Sequence, residues 1–146
     1  MIYHYTKVLH LRSILAHGLK PTDLLIAPGE TPVLWFSTNP QWENTVFCSD
    51  APSLGEAHKL MRTYGGLARI GCDDSVAPVR WKELKELAHI PSKVAMCLYQ
   101  SAIAVRSRPG EWRGTFAVVP VEKFEAIEVF DGLDWVSLFE VRSRAA

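Results

Sequence analysis

No stretch of the 146-residue chain approaches the ~20 consecutive apolar residues that a membrane helix needs. The opening MIYHYTKVLHLRSIL lacks a charged leader followed by a long apolar run, so no signal peptide is expected. Net charge is missing too. Sixteen Lys and Arg balance 16 Asp and Glu, which argues against nucleic-acid binding by bulk electrostatics and leaves room for a local basic contact. Cysteine is scarce: Cys48, Cys72 and Cys97 cannot all pair, and their wide spacing lacks the close pairs of a zinc ribbon. Reduced, mostly buried thiols in a cytoplasmic protein are therefore expected, without a metal. The common catalytic signatures are absent, with no phosphate-binding GxxxxGK[ST] loop, no GxGxxG, no GxSxG elbow and no HExxH. His10 and His17 lie seven apart, off the four-residue step of a two-histidine metal site, and read as ordinary surface or half-buried histidines. Cys97, in an apolar helical stretch without a nearby His, reads as a core thiol.

What is present fits one domain over 1–146. Hydrophobic residues make up 48% of the chain, enough for a core that needs no disulfide or metal. Ile2–Thr6 reads as a strand. Val8, Leu11, Ile14, Leu15 and Leu19 then form a helical stripe, with Thr6 as N-cap and Gly18 and Pro21 as the stop. Residues 20–32 read as an irregular loop and Val33–Ser37 as a strand. Asn39 and Pro40 start a short helix near 40–47. Ser53 and Glu56 form a capping box for a helix that stops at Gly65-Gly66. Leu67–Cys72 is the next strand, with a turn at Asp73-Asp74. Residues 79–88 and 92–104 are helical, the second capped by Ser92. Strands follow at Thr115–Val119, Glu125–Phe130 and Trp135–Val141, with a turn at Asp131-Gly132 and a frayed tail from Arg142. Strands at both ends and helices between them give an α+β class.

Two segments stand out: Tyr3-His4-Tyr5-Thr6 leading to Gly18-Leu19, and Leu34-Trp35-Phe36-Ser37-Thr38-Asn39-Pro40. Taken alone, His4 reads as a satisfied strand histidine and Trp35 as a core aromatic. Together they bring a His, hydroxyls and a Trp to strand ends that converge on one cleft.

Residues 2–19 resemble the opening of the ADP-ribosyltransferase superfamily, closest to its bacterial DNA-targeting toxins, where a Tyr-His-[Phe/Tyr]-Thr strand precedes a helix ending Ile-Leu-x-x-Gly-Leu. Residues 33–48 resemble a second block of the poly-ADP-ribose polymerase-like group, with Trp35 at the Tyr that stacks on nicotinamide and Ser37 at a small residue two positions on. The resemblance covers about half of the chain. It implies a split, strongly bent β-sheet with flanking helices, and NAD bound in the split as a substrate. The implied activity is mono-ADP-ribosyl transfer, a pentosyltransferase reaction that releases nicotinamide and modifies a macromolecular acceptor, nucleic acid or protein, with no membrane partner. On that pattern His4 holds ribose, Trp35 stacks on nicotinamide, the main chain at Tyr5 holds its amide, and Thr6 and Ser37 reach the cofactor.

The reaction also asks for a carboxylate beside the sugar to stabilise developing positive charge. In the toxins that Glu opens a strand, and here it falls on Thr115. Glu111 is the replacement expected as catalytic acid. It lies four residues earlier, about 13 Å along an extended chain, and a bulge or turn at Gly110 or Gly114 shortens that span. Asp73, Asp74 and Glu122 are lesser substitutes. The loop 105–113 matches the family's target-recognition loop, and Arg106, Arg108 and Arg113 make it locally basic. The departure at Thr115 motivates a different class, a catalytically inactive NAD-, nucleotide- or protein-binding module on the same fold. A hydrolase or phosphotransferase on the split sheet is a third reading, although the basic set of tRNA 2′-phosphotransferases is not evident.

Overall fold

A computed structural model describes residues 1–21, 28–47 and 53–138. Among the described residues seven strands make one antiparallel sheet: β1 (Ile2–Lys7), β2 (Leu34–Ser37), β3 (Leu67–Cys72), β4 (Val79–Arg80), β5 (Trp112–Thr115), β6 (Phe124–Phe130) and β7 (Trp135–Ser137), in the order β4-β5-β2-β1-β3-β6-β7. Four α-helices accompany them among the described residues, α1 (Leu11–His17), α2 (Leu54–Met61), α3 (Trp81–Leu87) and α4 (Ser92–Ala104). The α+β class holds. None of the described helices is long and apolar enough to cross a membrane.

β3 is buried at all six positions, the signature of a strand covered on both faces. One face packs Ile2, Ile70 and Leu34 against Leu11 and Ile14 of α1. The other sets Tyr5, Leu67 and Phe130 against Trp42 and Ala57, the latter from α2. A third cluster, Val33, Leu84 and Ala88, seats α3 beside β5. Gly114 permits that close approach, because a Cβ there would lie 2.5 Å from Leu84 Cδ2.

The pairing is uneven in a way that matters for the site. β1 pairs with β3 at six consecutive positions, Ile2 opposite Cys72 through Lys7 opposite Leu67. On its other edge it registers with β2 at one position, Tyr3 opposite Ser37, whereas β2 pairs with β5 along its length. Beyond that single pair no further residues of β1 and β2 stand in ladder register.

Several local expectations need correction. Thr6 is still in β1 and caps no helix; a 3-10 turn, Val8–His10, intervenes before α1 and has no side-chain cap. Asn39 and Pro40 start no helix: Asn39 Oδ1 accepts from Gln41 N at 2.9 Å, a local turn, and a 3-10 helix follows only at Asn44–Phe47. Residues 79–80 are an edge strand, with Arg80 as the N-cap of α3. The N-cap of α4 is Pro91 rather than Ser92. The strand expected at 115–119 runs over 112–115, paired to β2, while Val119 makes an isolated bridge with Leu19. Cys97 is exposed on α4, so it is no core thiol; Cys72 is buried, and both are free. Burial pushes the Cys72 thiol up to about 11. Cys48, part of the loop at 20–32 and residues 139–146 lie outside the described residues.

Candidate functional site

A cavity of ≈ 610 Å³ lies beside β1 and β2. It is bordered by Tyr3, His4 and Tyr5 of β1, by Trp35, Phe36 and Ser37 of β2, and by Trp112 of β5. Side chains alternate faces along a strand, so a cavity resting on one face would touch every second residue. Three consecutive residues from each of two strands border it, so it is not lined by one face's side chains alone. Glu43, Thr45 and Val46 form a second wall, and Leu98, Ser101 and Ala104 of the second half of α4, with Val105 just beyond it, form a third.

His4 ties the two strands together where their pairing ends. Its Nδ1 lies 2.8 Å from the Trp35 carbonyl oxygen, and because a carbonyl only accepts, Nδ1 carries the proton. That leaves Nε2 as the acceptor of the neutral ring. Burial holds the imidazole below its ordinary value of 6.5; the bond to Trp35 opposes the shift and His10 adds to it. Below pH 6.5 the unfolded chain takes up a proton here that the folded protein refuses, so stability is full above that pH and falls as pH drops. The slope reaches at most about 1.4 kcal/mol per pH unit for one proton. Urea titrations at pH 7, 6 and 5 should show a steeper loss for the parent than for His4→Gln, which keeps an N–H donor but no titrating ring. Equal slopes overturn this assignment.

Trp35 is braced by two other indoles, Trp112 edge-on at 6.0 Å between centroids and Trp81 tilted at 6.2 Å. Both come from elements beyond the second family-like block, β5 and the first position of α3. Ser37 is buried at the end of β2, and its Oγ accepts from Asn39 N at 3.1 Å. The chain then turns across the sheet and is bolted down at each step. Tyr5 Oη donates to the Asn39 carbonyl, Arg69 to the Pro40 carbonyl, and Trp135 Nε1 to the Gln41 carbonyl at 2.8 Å. Asn44 Nδ2 donates to the Val105 carbonyl at 2.6 Å, fixing the third wall. Burial pushes the Tyr5 phenol well above its usual range, with Arg69 opposing, so Tyr5 remains a donor.

Of the residues expected at the site, His4, Tyr5, Trp35 and Ser37 come together around the cavity. Thr6 is buried in β1, and neither it nor Glu111 borders the cavity. Glu111 ends a 3-10 turn, Pro109–Glu111, directly before β5, where its carbonyl accepts from Thr38 N at 2.9 Å. β5 starts at Trp112, so Glu111 stands immediately ahead of the strand, while Thr115, the position of the family Glu, ends it four residues later. Arg106 and Arg108 are exposed. Arg113 turns inward on its own loop, donating to the Gly110 and Trp112 carbonyls at 2.9 and 2.8 Å. Asp73, Asp74 and Glu122 are exposed and border no part of the cavity.

Among the described residues the carboxylate that borders the cavity is Glu43, and no expectation named it. The available signal was weak: an acidic residue beside a Trp, six positions beyond the end of β2 in a polar turn. Trp112, likewise unforeseen, hid in a stretch that looked like loop.

Comparisons with protein-family models, with curated proteins and with solved structures find no match to this chain.

Proposed function

We propose that this chain is an NAD-consuming ADP-ribosyltransferase built on the split-sheet fold that its first 19 residues resemble. The observation that carries the reading is the convergence of His4, Tyr5, Trp35 and Ser37 on one cavity bordered by β1 and β2. In the reaction the bond between nicotinamide and ribose breaks, and nicotinamide leaves with the bonding pair. A nucleophilic oxygen or nitrogen of a nucleic acid or protein then bonds to the ribose carbon and gives its proton to solvent. Trp35, fixed by its neighbouring indoles, offers the stacking plate, and neutral His4 offers Nε2 to a ribose hydroxyl. Exposed Arg106 and Arg108 meet the acceptor.

The test is incubation with NAD and a panel of DNA, RNA and protein, reading nicotinamide release and the mass gained by the acceptor. Release is expected, and Trp35→Ala should weaken NAD binding about ten- to a hundredfold, as loss of one aromatic–base stack does. Unchanged NAD affinity in both His4→Ala and Trp35→Ala overturns the cleft. The position of Glu111 off the cavity favours the second reading, a binding module without transfer. NAD bound but never consumed decides for that module. Release that survives Glu111→Ala removes Glu111 from catalysis.

A further inference from the structure

α4 departs from the pattern of an ordinary surface helix, which turns its large apolar residues to the core and small or polar ones to water. The residues it buries are Ala95 and Ala102, with Val94 and Leu98 half-buried. Met96, Tyr99 and Ile103 are exposed by 57%, 47% and 52%. Their spacing of three and then four residues is that of a helix–helix seam, and it sets them within about 60° of one another around the axis. Leu98 and Ser101, which border the cavity, fall on the opposite side of the helix. A contiguous apolar stripe facing water marks an interaction surface, and this one is separate from the cavity.

The charge around the stripe says what covers it. From Leu87 to Gly110 the chain has no Asp or Glu, and its Lys and Arg residues are Lys93, Arg106 and Arg108. All three are exposed. Lys93 stands in the first turn of α4, and Arg106 follows two residues after its end, at φ 60°. The stripe is therefore capped by positive charge at both ends, about 20 Å apart. We infer that the outward face of α4 docks an acidic amphipathic helix of a partner protein. Apolar side chains of that helix pack on Met96, Tyr99 and Ile103, and carboxylates near its two ends meet Lys93 and Arg106. A second copy of α4 fits less well, because a parallel pair sets Lys93 against Lys93 and an antiparallel pair sets Lys93 near Arg106. A lipid surface fits less well too. Helices that lie on anionic membranes carry Lys and Arg along the polar face, whereas Cys97, Gln100 and Ser101 are uncharged.

The probe is a synthetic helical peptide of about 16 residues, roughly 24 Å long, with leucines at the same spacing and two glutamates at each end. A second peptide carries lysines in place of the glutamates. Fluorescence anisotropy follows both against the parent protein, Ile103→Ser and Lys93→Glu, with thermal unfolding as the check that each variant is folded. The parent should bind the glutamate peptide about tenfold or more tighter than the lysine peptide. Ile103→Ser should weaken the glutamate peptide about tenfold, and Lys93→Glu should narrow the preference between the two peptides about threefold or more. Neither substitution touches the cavity, so the outcome does not depend on whether the protein binds NAD. No binding of the glutamate peptide, or equal binding of both peptides, overturns the inference. So does a parent protein that sediments as a dimer and becomes a monomer in Ile103→Ser, which gives the face to a second copy. Cosedimentation with phosphatidylserine vesicles that Ile103→Ser abolishes gives it to a membrane and overturns the inference as well.

Discussion

Replacing Gly18 with alanine should destabilise the protein by about 3–5 kcal/mol and lower its melting temperature by roughly 10 °C or more. Gly18 closes α1 with φ 76° and ψ −179°, a backbone region that only glycine visits without strain. Space is lacking as well as conformation. A Cβ at this position would lie 2.6 Å from the Val119 carbonyl oxygen and 3.3 Å from Pro120 Cα, both main-chain atoms. Neither can retreat cheaply, because Leu19 and Val119 exchange two backbone hydrogen bonds of 2.9 Å, and both side chains are buried in the core under α1. Relief of the clash therefore opens the bridge or lifts Leu19 out of the core. Gly55→Ala is the control: nothing lies within 4 Å of its built Cβ, it sits in the first turn of α2, and alanine there should be neutral or stabilising by up to ~1 kcal/mol. Chemical denaturation of the two variants measures the contrast. A Gly18→Ala protein within 1 kcal/mol of the parent would show that the junction between α1 and Val119 yields.

The Gly-Leu pair that ends the first family-like block is thus accounted for by backbone geometry and core packing. Other elements were legible for equally local reasons. β3 falls where the sequence places it because Gly65-Gly66 and Asp73 punctuate both ends, with Asp73 Oδ1 accepting from Ser75 N. Ser53 caps α2 as expected, its Oγ accepting from Glu56 N at 3.3 Å, while the Glu56 carboxylate accepts from the Ser53 hydroxyl at 2.7 Å. What escaped depends on partners distant in sequence. Trp112-Arg113-Gly114-Thr115 has none of the apolar alternation of a strand and becomes one because β2 and β4 flank it. Val79-Arg80 is a two-residue strand on the outer edge, too short for any periodicity. The site divides along the same line. His4, Tyr5, Trp35 and Ser37 sit on strands with recognisable local patterns, whereas Glu43 reaches the cavity only because tertiary hydrogen bonds hold residues 39–44 across the sheet.

Arg69 is the centre of that attachment, and its loss should cost about 3–5 kcal/mol, the scale of breaking a buried ion pair from one side. From buried β3 its Nε pairs with Glu128 Oε2 at 2.6 Å, a terminal nitrogen donates to the Pro40 carbonyl, and the guanidinium plane lies 4.4 Å from the Tyr3 ring and 4.6 Å from the Trp135 ring. Arg69→Met keeps most of the packing volume but strands the Glu128 carboxylate and frees Pro40. Arg69→Lys keeps the charge, yet a single ammonium cannot serve Glu128 and Pro40 together while stacking between two rings, so it should recover only part of the loss. Glu128→Gln should cost less than Arg69→Met, since Glu128 is the more open partner and its amide still accepts from Nε. The loss should also reach the cavity, which Arg69 does not border. Pro40 lies three residues before Glu43, and release of its carbonyl removes one of the hydrogen bonds, beside those of Tyr5, Trp135 and Asn44, that hold the turn in place. Ligand affinity measured at 15 °C, where the variant remains folded, should therefore fall in Arg69→Met and stay near the parent in Glu128→Gln. An Arg69→Lys protein as stable as the parent would show that the bond to Pro40 adds nothing, and the turn carrying Glu43 would then be held by its contacts to Tyr5, Trp135, Val105 and Ser107.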